Sequence, residues 1–221
     1  MSAVADLVPQ VKTIVTNAVS LHPITPWIAA LKMSLLLRGV GPIYPYLNPQ
    51  WGLHAPTFPA KLLSLVVALT HHECNNPVCK QISFTYGVGF PTLWRHENLN
   101  DATHEWVKQE FAQVPRSFFS QISACVKKGH LVSLDGHPEL PKDFLAQSPK
   151  TDARFAFFAG ERNRCFPPES QVKSFEYMNN LRSDYHSLHL IPGYGHLDIF
   201  MGKTAVKDVF PLMLAELDKP N

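Results

Sequence analysis

The clearest candidate for proton transfer in this sequence is His196, in the stretch PGYGHLDIF at residues 192–200. Histidine titrates near neutral pH, so its imidazole can accept a proton and return it. Gly193 and Gly195 precede it, and glycine adopts backbone angles that other residues rarely take. The chain can therefore bend sharply after the apolar run 187–191 and present the imidazole in a cleft. The alternative interpretation is a histidine in an ordinary turn.

A second group of reactive side chains lies in THHECNNPVC, residues 70–79. Structural zinc sites take four ligands, normally from two separated pairs, and this stretch supplies no evident second pair. We therefore expect a helix end with buried cysteines and no metal, and a Cys74–Cys79 disulfide only if the protein is exported. The four residues of this group are His71, His72, Cys74 and Cys79.

Three other histidines, His54, His96 and His104, have no partner that the sequence identifies. Gly87 and Gly89 form a G-x-G pair that lacks the third glycine and the strand-to-helix context of a nucleotide site. We predict no cofactor.

The candidate base at His196 needs a scaffold, and the second half of the chain supplies alternating elements. ARFAFFAGE is an apolar run typical of a strand buried on both faces, and YHSLHLI is the next strand. Helices are predicted for PPESQVKSFEYMNNLR and for TAVKDVFPLMLAELDK, the latter with one inward face. The inward residues would be Val206, Val209, Phe210, Met213, Leu214 and Leu217. Strand, helix, strand, helix predicts parallel pairing with crossovers.

The first half of the chain differs in its predicted secondary structure, which is mostly helical. Residues 11–20 read as a buried strand, and residues 2–7 as the end of a helix. Residues 27–130 show mostly helical periodicity, interrupted by proline and glycine. Asn100 or Asp101 would cap one of these helices. HLVSL, after Gly129, is predicted to be a short edge or cap strand.

Composition excludes several classes of protein. The 221 residues are 45% hydrophobic and 17% charged, which excludes a mainly disordered chain. A net charge of +2 with scattered basic residues predicts no nucleic-acid partner. No apolar stretch is long enough to span a membrane, so we predict no transmembrane segment. Without the features of a signal peptide, a cytoplasmic location is expected.

The elements that end in AGERNRCFPPES and PGYGHLD, each followed by a helix, resemble the last third of the α/β-hydrolase fold. The stretch GHLDIFMGKTAVKDVFPLML is similar to the end of acid lipases and of hydrolase domains fused to GMC-type flavin oxidases. The resemblance implies an α/β fold with about three parallel strands, flanking helices and a large helical cap insertion. Residues 1–20 and 130–221 would belong to the hydrolase core, and residues 21–129 to the cap or lid.

The same resemblance makes His196 the general base, but two parts of the family's catalytic triad differ here. No G-x-S-x-G nucleophile motif is present, and Ser2 stands too late to replace it. Asn163 occupies the position where the family usually has an aspartate; its amide oxygen could accept a hydrogen bond from the imidazole N–H. Glu161, Asp135 and Asp198 are the other candidates for the acid, with Asn163 and Glu161 ranked ahead of Asp198.

Aromatic residues in FTYGVGFPTLWRHENL could face an apolar substrate, as lid residues do in this family, although aromatics at this spacing are also common in cores. These candidate substrate-binding residues are Tyr86, Phe90 and Trp94.

The resemblance implies an esterase- or lipase-type serine hydrolase that acts on a small apolar ester or lipid-like substrate. Because the nucleophile is missing, this chain alone is expected to be inactive. One alternative is a non-catalytic module that binds an apolar ligand or assembles with a partner, either as a homodimer or with a missing N-terminal half. Another alternative is the C-terminal piece of a flavin oxidase–hydrolase fusion.

Overall fold

The computed structural model describes residues 8–39, 44–87, 92–134 and 138–220. It has mixed α/β architecture, with a three-stranded parallel sheet and a two-stranded antiparallel pair. The predictions for residues 2–7, Phe90 and Asp135 lie outside these residues. The strands are β1 (Thr13–Asn17), β2 (Tyr46–Leu47), β3 (Val114–Pro115), β4 (Arg154–Gly160) and β5 (Ser187–Ile191).

The parallel sheet has the order β1-β4-β5, so the longest strand lies in the centre. Thr13 of β1 pairs with Arg154 of β4, and Gly160 at the far end of β4 pairs with Ile191 of β5. Phe158 and the alanines of β4 are fully buried, as expected for a continuous apolar run with both faces covered. The predicted parallel α/β arrangement is confirmed.

Among the described residues, five α-helices lie between β1 and β4, within the range predicted to be helical. Asn100 caps one of them, as predicted, because its Oδ1 accepts a hydrogen bond from the Thr103 N–H at 2.7 Å. The five are α1 (Trp27–Gly39), α2 (Phe58–Thr70), α3 (Pro77–Tyr86), α4 (Asp101–Glu110) and α5 (Arg116–Lys128). The β2–β3 pair joins the chain before α2 to the chain before α5.

Two predictions about regular elements need correction. HLVSL forms only an isolated bridge between Val132 and Asp143 and no strand of the sheet. The last predicted helix is divided at Val209, because proline at position 211 supplies no N–H for a continuous helix. The helices after β4 are α6 (Glu169–Leu181), α7 (Asp198–Met201), α8 (Ala205–Asp208) and α9 (Phe210–Leu217).

The division of the last helix also changes which residues face the core. Val209 is fully buried, and Phe210 and Met213 pack against the cluster that includes Phe158. Three of the six residues predicted to point inward are more than half exposed. They are Val206, Leu214 and Leu217.

Buried polar side chains attach α6 and α9 to the sheet region. Ser174 of α6 accepts a hydrogen bond from the Leu21 N–H at 3.0 Å and lies 2.8 Å from the Ser20 hydroxyl. Glu216 of α9 is 2% exposed. Because such a carboxylate loses its hydration, it needs several partners.

Three basic side chains and one hydroxyl surround the Glu216 carboxylate. His189 Nε2 lies 2.7 Å from it, Lys219 Nζ 2.6 Å and Arg154 Nη1 3.6 Å, and the Ser187 hydroxyl donates at 3.0 Å. These contacts hold α9 against β4 and β5.

Among the described residues, none of the helices combines the length and the apolar character needed to cross a lipid bilayer.

Candidate functional site

Loops at the carboxyl ends of all three parallel strands meet around His196. The loop after β5 carries His196, the loop after β4 carries Asn163, and Asn17 is the last residue of β1. Asn17 Nδ2 donates a hydrogen bond to the His196 carbonyl at 3.0 Å. In open parallel sheets, ligands bind beyond the carboxyl ends of the strands, so this convergence marks the candidate site.

The backbone around His196 is fixed on both sides. Gly193 has a φ of +78°, a left-handed conformation that glycine adopts without a steric penalty. The N–H groups of His196 and Leu197 both donate to the Leu93 carbonyl, at 3.1 and 2.7 Å. The histidine loop is therefore attached to the helical region through Leu93.

Asn163 is the side chain that holds the His196 ring. Asn163 Nδ2 lies 3.0 Å from His196 Nδ1. The Asn163 Oδ1 accepts hydrogen bonds from the backbone N–H groups of Cys165 and Phe166, at 3.0 and 3.1 Å. These two donors fix the orientation of the amide, because rotating it by half a turn would place the NH₂ group against two N–H groups.

This orientation corrects the predicted role of Asn163. The sequence suggested that its amide oxygen accepts a hydrogen bond from the imidazole N–H, but that oxygen faces the backbone and the amide nitrogen faces His196. Because the amide donates to Nδ1, Nδ1 must be unprotonated and the neutral ring carries its proton on Nε2. The pair thus presents an N–H donor, whereas a catalytic base would present a free Nε2 lone pair.

In the described structure, His196 also lacks the hydrogen-bonded carboxylate that normally stabilises the protonated form of a catalytic histidine. Burial lowers the pKa of His196 to about 4, so the ring is neutral at physiological pH. Among the described residues, no carboxylate is hydrogen-bonded to the ring. Glu161, the other predicted acid, is exposed, and no interaction joins its side chain to His196.

Asp198 has a structural role. Its carboxylate is fully buried and accepts hydrogen bonds from the Gly195 N–H at 2.9 Å and from Asn98 Nδ2 at 2.6 Å. Burial raises the pKa of Asp198. These contacts shape the turn that precedes α7.

The side chain of His196 lines a cavity of about 240 Å³ between the sheet loops and the helical region. The wall is mainly apolar and aromatic, with a few polar side chains, as in many small-molecule sites. Members of the wall include Ala29, Met33, Tyr86, Phe111, Phe119 and Phe166.

Lys32 brings a cation to the wall of this cavity. Its ammonium donates to the carbonyl oxygens of Phe84 and Gly87 at the end of α3, and it lies 4.8 Å from the centre of the Phe84 ring. Burial lowers the pKa of Lys32 to about 8. The contacts with the helix carboxyl end stabilise the charged form.

The three aromatic residues predicted to bind substrate occupy different places in the structure. Tyr86 lines the cavity, so the structure brings it together with His196. Trp94 is 2% exposed, packs within a core cluster and is absent from the cavity wall. Tertiary packing places this indole in the interior, the arrangement that the alternative interpretation of these aromatics as core residues describes. Phe90 lies outside the described residues.

No strong nucleophile accompanies His196 in the described part of the chain. None of the serines described there lines the cavity. Cys165 does, but burial raises the pKa of its thiol to about 12, so it carries no thiolate at neutral pH. Sequence reasoning missed Cys165 and Lys32 as cavity residues, because only packing between distant segments brings them to the cavity.

The structure divides the predicted cysteine–histidine group. The ring of His71 packs against the Phe84 ring in an edge-to-face arrangement, and His72 is exposed on the surface. Cys74 and Cys79 stay together, and His96 and His104 join them from later elements. Hydrogen bonding between the two thiols lowers the pKa of Cys74 to about 4 and raises that of Cys79.

Comparisons with protein-family models, with curated proteins and with solved structures gave no match to this chain.

Proposed function

We propose that this chain binds a small apolar ester or lipid-like molecule in the cavity beside His196. The wall offers mostly carbon surface, and the imidazole Nε2–H can donate a hydrogen bond to a carbonyl or ester oxygen. The single observation that carries the proposal is the Asn163–His196 hydrogen bond at the edge of this apolar cavity. It fixes one polar donor where the polar end of a ligand would lie.

The relation to ester hydrolysis follows from the resemblance to α/β-hydrolases. In such an enzyme His196 would take a proton from a serine hydroxyl and return it to the leaving alcohol. The hydroxyl would have to be supplied from outside the described residues. Asn163 also favours the tautomer that cannot accept this proton at Nε2. We therefore expect binding, without hydrolysis, from this chain alone.

Binding is tested with methyl octanoate, a small apolar ester, titrated into ¹⁵N-labelled protein and followed by NMR. We expect shifts at Tyr86, Phe166 and His196. Ala29 lies in the cavity wall and Ala215 is exposed on α9, so Ala29→Phe should abolish the shifts and Ala215→Phe should preserve them. Binding that survives Ala29→Phe, or shifts confined to residues outside the cavity, would place the ligand elsewhere and reject the proposal.

Hydrolysis is tested separately with 4-nitrophenyl butyrate. We expect the wild-type chain to release nitrophenol no faster than His196→Ala does. Turnover that disappears in His196→Ala would show that this chain supplies a nucleophile, and would reject the proposal that it binds without cutting.

Exposed apolar side chains favour a second candidate, an assembly module. Trp27 is 74% exposed and Phe58 is 78% exposed, and each begins a helix with further exposed apolar residues. The others are Ile28, Leu31 and Leu35 of α1 and Leu62, Leu65, Val66 and Leu69 of α2. Sedimentation of the wild type and of Phe58→Ser across a concentration series tests this function; identical monomer behaviour of both proteins would reject it.

A further inference from the structure

Four side chains capable of binding a transition metal meet in the helical region, away from the wall of the His196 cavity. Cys74 precedes α3 and Cys79 lies in its first turn; His96 begins a short 3-10 helix, and His104 lies in α4. One sulfur or nitrogen atom from each lies within 4.8 Å of the others. The spacings are Cys-x4-Cys and His-x7-His, which are two separated pairs.

The distances suit a small ion with four ligands. Cys79 Sγ lies 3.3 Å from His96 Nε2, and the rings of His96 and His104 are nearly perpendicular with centres 4.8 Å apart. Zinc–sulfur bonds of about 2.3 Å and zinc–nitrogen bonds of about 2.0 Å place tetrahedral ligand atoms roughly 3.3–3.8 Å apart. The group therefore needs to contract by only about 1 Å around an ion.

A buried atom without a partner gives independent support. His104 Nε2 is inaccessible to solvent and makes no hydrogen bond within the described residues. A buried polar atom left unsatisfied is destabilising, and the lone pair of an imidazole nitrogen is satisfied by either a proton donor or a metal ion. Both carboxylate oxygens of Glu73, next to Cys74 in sequence, are likewise buried without a partner.

We propose that Cys74, Cys79, His96 and His104 form a structural zinc site. Two thiolates and two imidazoles are the donor set of tetrahedral zinc, and four protein ligands leave no open position for catalysis. The site would tie α3 and α4 to the segment that carries Leu93, whose carbonyl holds the His196 loop. It would thereby stabilise one wall of the cavity without taking part in ligand binding.

The first experiment measures the metal content of the full chain expressed in zinc-supplemented medium and purified under reducing conditions. We expect about one zinc ion per chain. Cys79→Ser and His104→Gln should lose the zinc, whereas Cys125→Ser and His72→Gln should retain it, because Cys125 lies on α5 and His72 is exposed. Zinc that persists in Cys79→Ser and His104→Gln, or wild-type protein without zinc, would overturn the proposal.

A second measurement does not depend on whether the variants fold. Wild-type protein stripped of metal with a chelator is titrated with Co²⁺, and we expect the intense visible absorption and the thiolate-to-cobalt charge-transfer band of a tetrahedral site, saturating near one equivalent. Restoring zinc should raise the melting temperature. A spectrum of octahedral cobalt, no change in melting temperature, or a Cys74–Cys79 disulfide in protein purified under reducing conditions would each contradict a zinc site.

Discussion

Replacing Asn163 with aspartate should reverse the proton arrangement of His196. The Asn163 Oδ1 keeps two backbone donors, from Cys165 and Phe166, so one carboxylate oxygen of an aspartate would remain satisfied. The other oxygen would replace the amide nitrogen 3.0 Å from His196 Nδ1. A carboxylate can only accept a hydrogen bond, so Nδ1 would become the protonated atom and Nε2 would become free to accept a proton.

The magnitude follows from the depressed pKa of His196. Burial lowers it from 6.5 to about 4, so the folded state disfavours the imidazolium. The stability that depends on a neutral ring is present above pH 6.5 and is lost as the pH falls toward 4. At about 1.4 kcal/mol per pH unit, this loss amounts to about 3 kcal/mol. A carboxylate at hydrogen-bond distance raises a histidine pKa by about 1–3 pH units, which recovers much of that loss.

The assay is an NMR titration of ¹⁵N- and ¹³C-labelled histidine, in which the nitrogen shifts identify the tautomer and the pH dependence gives the pKa. In the wild type we expect the Nε2–H form of His196 and a pKa well below that of exposed histidines. In Asn163→Asp we expect the Nδ1–H form and a higher pKa. Glu161→Gln, in the same loop but exposed, is the control and should change neither.

Two results would refute this reasoning. A wild-type His196 that carries its proton on Nδ1 would mean that the amide is oriented the other way. An unchanged pKa in Asn163→Asp would mean that residue 163 does not govern the ring.

Three further predictions concern the free energy of unfolding, measured with urea. Gly160→Ala should cost about 3 kcal/mol or more, because the new methyl group would overlap two backbone carbonyl oxygens of the histidine loop. Gly193→Ala meets no atom within 4 Å and should cost only about 1 kcal/mol for its positive φ. Equal costs for the two variants would contradict the close packing at Gly160. Glu216→Ala should cost about 3–5 kcal/mol by leaving the buried Arg154 guanidinium without its carboxylate, and a loss no larger than that of the exposed Glu176→Ala would argue against the network. Ser174→Ala should cost about 1–3 kcal/mol, since it removes the acceptor of a backbone N–H; an unchanged stability would count against that bond.

The sheet could be predicted from sequence because each strand is recognised from the residue types within its own short segment. Residues 154–160 form an uninterrupted apolar run, and a strand buried on both faces requires such a run. The bend before His196 could also be predicted from sequence, because glycine readily adopts the positive φ that Gly193 has in this turn.

Features that depend on packing between distant segments could not be predicted in the same way. The orientation of the Asn163 amide is set by two backbone N–H groups, whose directions depend on the turn after β4. His96 and His104 join Cys74 and Cys79 only because α3 packs against α4, and sequence spacing alone does not give that contact. Pro211 was visible, but the apolar periodicity around it outweighed its effect on the helix.

The order of the parallel sheet has a consequence for how the protein folds. Thr13 pairs with Arg154, so in the part of the chain that the structure describes β1 gains its only sheet neighbour from a segment about 140 residues later. Pairings between such distant segments carry a large loop-closure entropy and slow the search for the native state. Local helices such as α4 and α5 can form much earlier. We therefore expect β1 to remain unpaired, with Ile14 and Val15 uncovered, until β4 has been synthesised, and a chaperone would protect the protein most during this interval.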